Sequence, residues 1–425
     1  MFLTQEEERM LDGEYGPGIK RSMELLVKLG EAFDAERMVM AQSAHIHCAI
    51  SLDLLSELTE GATQCPIMTT THPNAYPDVL DPTGCKRIGL PENYDIYEFI
   101  HGGPWSQIED IFKRLGYLLT YPCVPFLVGN LPKVDDVVSW GGTSGAVTAT
   151  SMFGACGSRD SVPANVATSV TGRAPYIGMA IRENRYAQVL VKLDRLDLDH
   201  FTNADYGALG YYIGGKTGSK NVVIDGLPKT LSLEQFRYLV SPMPVSGATN
   251  ICHVVGVTPE ARTLDQALGG GRPGEVITIG KDQIKEAVNN LTTAHSDKVD
   301  LVKLGCPHCS ITELRNIASL LAGKKVHPNV RLFVATAKQI YVLAEAMGYV
   351  DIIKQAGGVF TNTCIGSQDP FNFIGPKLGV EVVATNSARS AHYSARTSGG
   401  KIKLLYGSMK QCIDAATTGK WRTAG

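Results

Sequence analysis

No apolar run among the 425 residues reaches the roughly 18 that a membrane-spanning helix needs. The N-terminus, MFLTQEEERM, is acidic where a signal peptide is basic. Net charge is almost absent: 40 Lys and Arg against 42 Asp and Glu leave −2, so there is no electrostatic footprint for nucleic acid or an anionic membrane. The chain lacks an internal repeat, a low-complexity tract and a long linker. These absences predict a cytoplasmic protein with neither a membrane nor a nucleic-acid partner. The 10 cysteines are spread too thinly for a secreted disulfide framework, which favours reduced thiols or metal ligands. Gly269-Gly270-Gly271 lacks the G-x-G-x-x-G spacing after a strand, which excludes a dinucleotide site there.

What is present is an ordinary balance of 44% apolar and 19% charged residues, in a chain long enough to bury a large core in two or three lobes. Lobe boundaries are expected near 130–140, 200–220 and 280. From Lys281 onward the spacing predicts helices Gln283–Thr293, Ile311–Leu321 and Lys338–Met347. They alternate with strands Val299–Leu304, Arg331–Val334, Val359–Thr361 and Val380–Ala384, the pattern of a parallel sheet with helices on both faces. Upstream, Thr4 and Glu7 form a T-x-x-E capping box, and Ile19, Met23, Leu26 and Phe33 make a helical stripe. Strands are expected at Arg37–Ala41 and Pro66–Thr70, each followed by a polar turn holding His45 or His72. Ala75–Tyr97 reads as a loop, Ile108–Leu118 as a helix and Leu119–Tyr121 as a strand end. The uncharged, small-residue stretch Ser139–Gly157 suits a tightly packed helix flanked by loops. Asn221–Ile224 and Val276–Ile279 are strands, and the more polar Asn184–Tyr212 reads as a boundary.

The chemistry concentrates in LVKLGCPHCSITE, Leu301–Glu313. A buried strand is expected to stop at Gly305, and Ser310 with Glu313 opens the next helix as an S-x-x-E box. Cys306, His308 and Cys309 thus fall on a strand-to-helix turn, at the carboxyl edge where open α/β sheets bind ligands. The helix N-terminus there favours thiolate over thiol. Cys123, between prolines, and Cys364 in TNTCIGSQDP share this context, each just past an apolar run. Three such turns suit a cluster or metal held by loops converging from different strand ends. Cys309 is either part of a Cys-x-x-Cys pair or a packing residue. His45, His72 and His308 are candidate acids or bases. Arg389 in NSARSAHYS and Arg159 in GSRDS are candidate carboxylate clamps. Thr71, Ser144 and Ser387 are candidate substrate-binding hydroxyls.

These segments, LTQEEERMLDGEYGPG, CVPF with LVGN, SMFGACGSRD with TGRAP, LGCPH, NTC and NSARSAHY, resemble the catalytic part of the aconitase X family, collinearly over nearly the whole chain. The resemblance implies an α/β, aconitase-like multi-lobe body of parallel sheets flanked by helices, lacking the small swivelling domain. It implies a hydro-lyase of small hydroxy acids, with phosphomevalonate and cis-3-hydroxyproline among the family's substrates. An iron–sulfur cluster or mononuclear iron would sit on Cys123, Cys306 and Cys364. A separate small swivelling-domain subunit would supply the serine base.

The chain departs from the family on its polar turns. W-x-E-S-S becomes Trp140-Gly141-Gly142-Thr143-Ser144, which removes a carboxylate at Gly142. G-A-R-T-N-R becomes Gly154-Ala155-Cys156-Gly157-Ser158-Arg159, T-T-x-N-P becomes Thr70-Thr71-His72-Pro73-Asn74, and the Lys of N-S-x-K becomes Arg389. The metal site is kept while the substrate pocket is rebuilt. The reading is therefore an iron-dependent dehydratase of a small hydroxy-carboxylic acid. Two alternatives stay open: an isomerase or lyase on a mononuclear metal with Cys156 as a fourth ligand, and a non-catalytic iron–sulfur binding protein.

Overall fold

The computed structural model describes residues 1–47, 49–72, 80–90, 105–157 and 159–422. Strands β1 (Met38–Met40), β2 (Ser43–Ile46), β3 (Met68–Thr71), β4 (Val138–Trp140) and β5 (Arg173–Pro175) occupy the first part of the chain. β6 (Val189–Leu193), β7 (Val222–Asp225), β8 (Cys252–Val254) and β9 (Glu275–Ile279) follow. The last part carries β10 (Leu301–Cys309), β11 (Arg331–Thr336), β12 (Gly358–Thr361), β13 (Val382–Thr385) and β14 (Lys403–Tyr406). They form three parallel sheets, ordered β3-β2-β4, β8-β7-β6-β9 and β12-β11-β10-β13-β14, and an antiparallel β1-β5 pair. The expected α/β body of parallel sheets flanked by helices is borne out.

The central strand β10 is buried along its whole length, as a parallel strand covered on both faces must be. Its one interior charge, Lys303, reaches Asp369, and also the Ser394 hydroxyl at 2.7 Å and Asn372 at 3.4 Å. Asp369 also accepts from Phe371 N. The buried pair thereby ties the segment after Cys364 to β10.

Four expectations give way to the structure. β10 runs through the predicted turn to Cys309, shifting register against β11 between Leu304 and Cys309. Gly305 permits this: its φ is +104°, and a Cβ there would stand 2.1 Å from the Ala335 carbonyl oxygen. Next, His45 lies within β2 instead of in a turn after the strand expected at Arg37–Ala41, because Ser43–Ile46 is drawn between β3 and β4 as a buried central strand. Leu119–Tyr121 forms no strand. Only Leu118 bridges to Thr70, and the chain then bends at Tyr121 (φ +56°) into a short 3-10 helix, Pro125–Val128. Within the predicted loop Ala75–Tyr97, Pro82–Arg87 is a helix capped by Asp81, while 75–79 and 91–97 lie outside the described residues.

The small-residue stretch does form a helix, Thr143–Met152, with every residue from Ser144 to Ser151 buried. Among the described residues no helix is long and apolar enough to cross a membrane.

Candidate active site

The carboxyl ends of β3, β10, β12 and β13 bring the candidate residues together, as expected for parallel sheets. Thr71 ends β3 and His72 follows it; near the end of β10 stand Cys306 and His308; after β12 come Asn362 and Cys364; after β13 come Ser387 and Arg389. Cys123 arrives on the bend after Tyr121.

All three cysteines are buried, at 6–7% exposure, and two face one point. A Cβ added at Gly366 would lie 3.3 Å from Cys306 Sγ and 3.7 Å from Cys364 Sγ. Cys123 Sγ sits 3.2 Å from both His308 Nδ1 and the His308 backbone nitrogen, whose N–H it accepts. Burial pulls the Arg389 guanidinium down, but Tyr393 and the thiols of Cys306, Cys123 and Cys364 outweigh it, so its pKa is raised. One arginine thus sits within electrostatic reach of all three sulfurs. Burial pushes the Cys306 thiol up to about 12 despite Arg389 pulling it down. The expectation that a helix N-terminus makes it a thiolate is overturned, because desolvation of the charge outweighs the dipole. Without a bound cation Cys306 stays protonated at neutral pH; a metal would displace its proton.

The buried polar atoms left without a partner among the described residues cluster here. They include His45 Nε2, both ring nitrogens of His72, both amide atoms of Asn362 and Arg389 Nη1. Buried polar groups are normally hydrogen-bonded, so such a cluster points to a ligand.

The histidines divide. His308 is held at both ends, Nδ1 to Cys123 and Nε2 at 3.2 Å from the Asn362 carbonyl. Burial lowers its pKa to about 4. His45 Nδ1 meets Thr70 Oγ1 at 2.9 Å while Nε2 stays open. Burial, reinforced by His47, lowers it to about 3. Burial takes His72 well below 6.5, with His47, His45, Arg389 and His308 adding to the effect. His45 and His72 are therefore neutral imidazoles with free nitrogens.

The hydroxyls hold framework. Thr71 Oγ1 accepts from Tyr121 N at 3.3 Å, which steadies the bend before Cys123. Ser144 Oγ lies 2.6 Å from Ser241 Oγ. Ser387 accepts from Ser390 N as a helix cap and hydrogen-bonds Cys306. Arg159 is exposed at the rim. Partial desolvation lowers its pKa, and the charges of Tyr393 and Arg389 also act on it.

Cys156 bridges to Val137, and burial raises it near Arg185, Asp135 and Glu260, a different set of neighbours from those of the three thiols. Cys309 packs in the core with Leu314 and Ile317, on the side of β10 away from Cys306. Among the described residues no three His, Cys, Asp or Glu side chains already surround a single ion.

Reading the sequence did not single out His47, Asn362, Gly366 or Arg237. Asn362 was legible in principle, two residues before Cys364. Arg237 sits in an unremarkable amphipathic helix, Leu233–Val240. It pairs with Glu313 and donates to the His308 carbonyl at 3.0 Å. The Ser310–Glu313 capping box is present, and through Arg237 its glutamate also braces the cysteine-bearing segment.

Aconitase X domain descriptions match the chain in order: the first domain over residues 1–183, the second over 187–289 and the third over 299–418. The chain belongs to the aconitase X family. It is 31% identical to the phosphomevalonate dehydratase large subunit of Methanocaldococcus jannaschii, over 97% of this chain and 99% of that one. It is 28% identical to the cis-3-hydroxy-L-proline dehydratase of Hypocrea jecorina, over 99% of this chain and 69% of that protein. The crystal structure of Thermococcus kodakaraensis aconitase X in its holo-form superposes with a TM-score of 0.82 at 27% identity, covering 98% of this chain and 100% of that one. Both named relatives are dehydratases.

Proposed function

We propose that this aconitase X protein is a dehydratase of a small hydroxy-carboxylic acid. The observation that carries the reading is the convergence of Cys123, Cys306 and Cys364 around the buried guanidinium of Arg389, whose Nη1 has no partner among the described residues. The donor set fits an iron centre: three thiols from three segments, two of them facing the side-chain-free Gly366. Three Cys thiolates are the kind of donor set that holds an iron–sulfur cluster or a mononuclear iron. When bound, such a centre supplies Lewis acidity toward the hydroxyl being lost.

The protein's own groups do the rest. Arg389, buried and paired with no carboxylate among the described residues, binds the substrate carboxylate, and the exposed Arg159 closes over it. His45 and His72, neutral at physiological pH, orient the departing hydroxyl by hydrogen bonds. His308, with both nitrogens engaged, is a positioning residue that sets Cys123. Burial of the whole pocket excludes water. A small separate subunit completes the site and supplies the base that takes the proton. The description of the Methanocaldococcus relative as a large subunit supports this, as does the longer chain of the Hypocrea dehydratase.

The test is iron and acid-labile sulfide per chain on protein purified without oxygen, for wild type and Cys306→Ser, followed by dehydration assays on a panel of hydroxy acids with and without the small subunit. Iron that disappears with Cys306, and turnover that needs both chains, are expected. Iron indifferent to Cys306 would sink the ligand assignment, and full turnover by this chain alone would sink the shared site.

A further inference from the structure

Three buried polar side chains in a row fix where one proton sits. The side-chain nitrogen of Asn130 lies 3.2 Å from the Ala44 carbonyl and 2.9 Å from Thr70 Oγ1. A carbonyl only accepts, so the atom facing it is the amide nitrogen, and that nitrogen gives its second hydrogen to Thr70. Thr70, fully buried, has one proton of its own to donate. His45 Nδ1 stands 2.9 Å away, whereas the Ala44 carbonyl is at 3.5 Å and already receives Asn130. The short contact takes the proton. Nδ1 therefore accepts, and the neutral ring carries its hydrogen on Nε2.

The Nε2 edge of this imidazole faces the candidate site. A Cβ at Gly142 would stand 3.4 Å from His45 Cδ2, the carbon beside Nε2, and 2.5 Å from His72 Cδ2, so the glycine and the two rings share one corner. Burial lowers the pKa of His45, and the Pro122 carbonyl, one peptide before Cys123, opposes it as an acceptor of a ring N–H does. That is the environment of a protonated Nε2. The atom is buried and makes no full hydrogen bond among the described residues. Trp140 packs edge-on with its centroid 6.0 Å from that of His45, and its Nε1 is tied to Ser43 Oγ at 3.1 Å, which holds the plane of the imidazole.

We propose that Asn130 and Thr70 are positioning residues that hold His45 as the Nε2–H tautomer, making it a hydrogen-bond donor, beside Cys123, to an oxygen of the hydroxy acid. This rests on the dehydratase reading and gives His45 a direction that the reading left open. A donor held in this way stabilises the negative charge that grows on oxygen as the carbon–oxygen bond breaks, and it needs no reorganisation because its hydrogen is already in place. The imidazole keeps its proton throughout. It cannot serve as the base, because its one lone pair, on Nδ1, is taken by Thr70.

The experiment reads the ring itself: ¹⁵N NMR of the full chain labelled with ¹⁵N-histidine and freed of iron, with the His45 signals assigned by their loss in His45→Gln. Wild type is expected to show hydrogen on Nε2 and a bare Nδ1. Thr70→Val removes the hydroxyl at nearly constant shape and should abolish that preference, while Thr70→Ser keeps the wild-type spectrum. Asn130→Asp puts an acceptor where Thr70 now meets a donor, draws the Thr70 proton off the ring and should move the hydrogen to Nδ1; it decides the matter where Thr70→Val does not fold. With phosphomevalonate or cis-3-hydroxy-L-proline as the probe, whichever turns over, Thr70→Val should lower kcat at least about tenfold with KM little changed, a part of the roughly 10²–10³-fold that one preorganised donor supplies. Thr70→Ser should restore it. Hydrogen on Nδ1 in wild type, a tautomer unmoved in the folded variants, or a kcat indifferent to Thr70→Val would overturn the proposal. The two readings fail separately. An Nε2–H ring in a chain that dehydrates no hydroxy acid leaves the relay and removes the dehydratase, whereas a dehydratase whose His45 carries its hydrogen on Nδ1 does the reverse.

Discussion

His308 and Cys123, 185 residues apart, make three contacts: the imidazole Nδ1 and the backbone nitrogen of His308 both lie 3.2 Å from the Cys123 sulfur, and Nδ1 accepts from the Cys123 backbone N–H at 3.4 Å. The first and third domains of the chain are joined at this point, and the other ring nitrogen, 3.2 Å from the Asn362 carbonyl, extends the link to the loop that carries Cys364. One imidazole therefore sets the relative positions of two of the three thiols.

Replacing it should act on the metal first. His308→Ala removes the imidazole from Cys123 and leaves it only the backbone N–H of residue 308, and loss of an outer partner of a metal ligand typically costs roughly 10–100-fold in metal affinity. Iron and sulfide per chain, measured after titration with a chelator, should fall accordingly. Retention equal to wild type would show that Cys123 needs no such support.

Gly366 is the space between two sulfurs. A Cβ 3.3 Å from Cys306 and 3.7 Å from Cys364 leaves the empty pocket foldable but fills the volume a cluster needs. Gly366→Val should purify with a melting temperature near that of wild type and with little iron; normal iron loading would mean that the centre lies elsewhere.

The Arg237–Glu313 pair is almost fully buried, at 1% and 2% exposure. Glu313→Ala strips the charge partner from Arg237 and, with it, the brace on the His308 carbonyl. Breaking a buried pair by removing one member costs about 3–5 kcal/mol. Urea unfolding should show a loss of that order, and a loss under about 1 kcal/mol would mean the pair is not desolvated as the structure has it.

His45 carries a pH signature. Its folded pKa, lowered to about 3 by burial and by His47, is below the ordinary value near 6.5. As pH falls from about 6.5 toward 3, the unfolded chain takes up a proton that the folded one refuses, so stability drops with acidification. Above about 6.5 this group contributes no slope. His45→Gln should flatten the acid limb of melting temperature against pH while leaving the neutral plateau in place apart from a constant offset; an unchanged slope would place the linkage on other groups.

How much of this could be read beforehand differs from one element to the next. The capping boxes at Thr4–Glu7 and Ser310–Glu313 were legible because they depend on residues three apart. The strands and helices after Lys281 were legible because each buries a regular apolar face. His45 was misplaced into a turn because Ser43–Ile46 is short and mixed, and it becomes a strand only by pairing with β3 and β4 on both sides. The protonated state of Cys306 was misjudged for a similar reason: the helix N-terminus is visible in the sequence, but the desolvation that outweighs it is not.

By itself the amino-acid sequence determined that three cysteines, each beyond an apolar run, belong to an α/β protein whose slight negative charge does not attract nucleic acid. Such features follow from local periodicity and residue type, which short-range physics controls. Only the tertiary structure decided that Cys123 meets His308, that Arg237 braces the carbonyl beside it, and that Gly142 and His72 occupy one space. Those relations join residues 70 or more positions apart; they come from the way parallel strands bring distant loops to a common edge, and no local pattern encodes them.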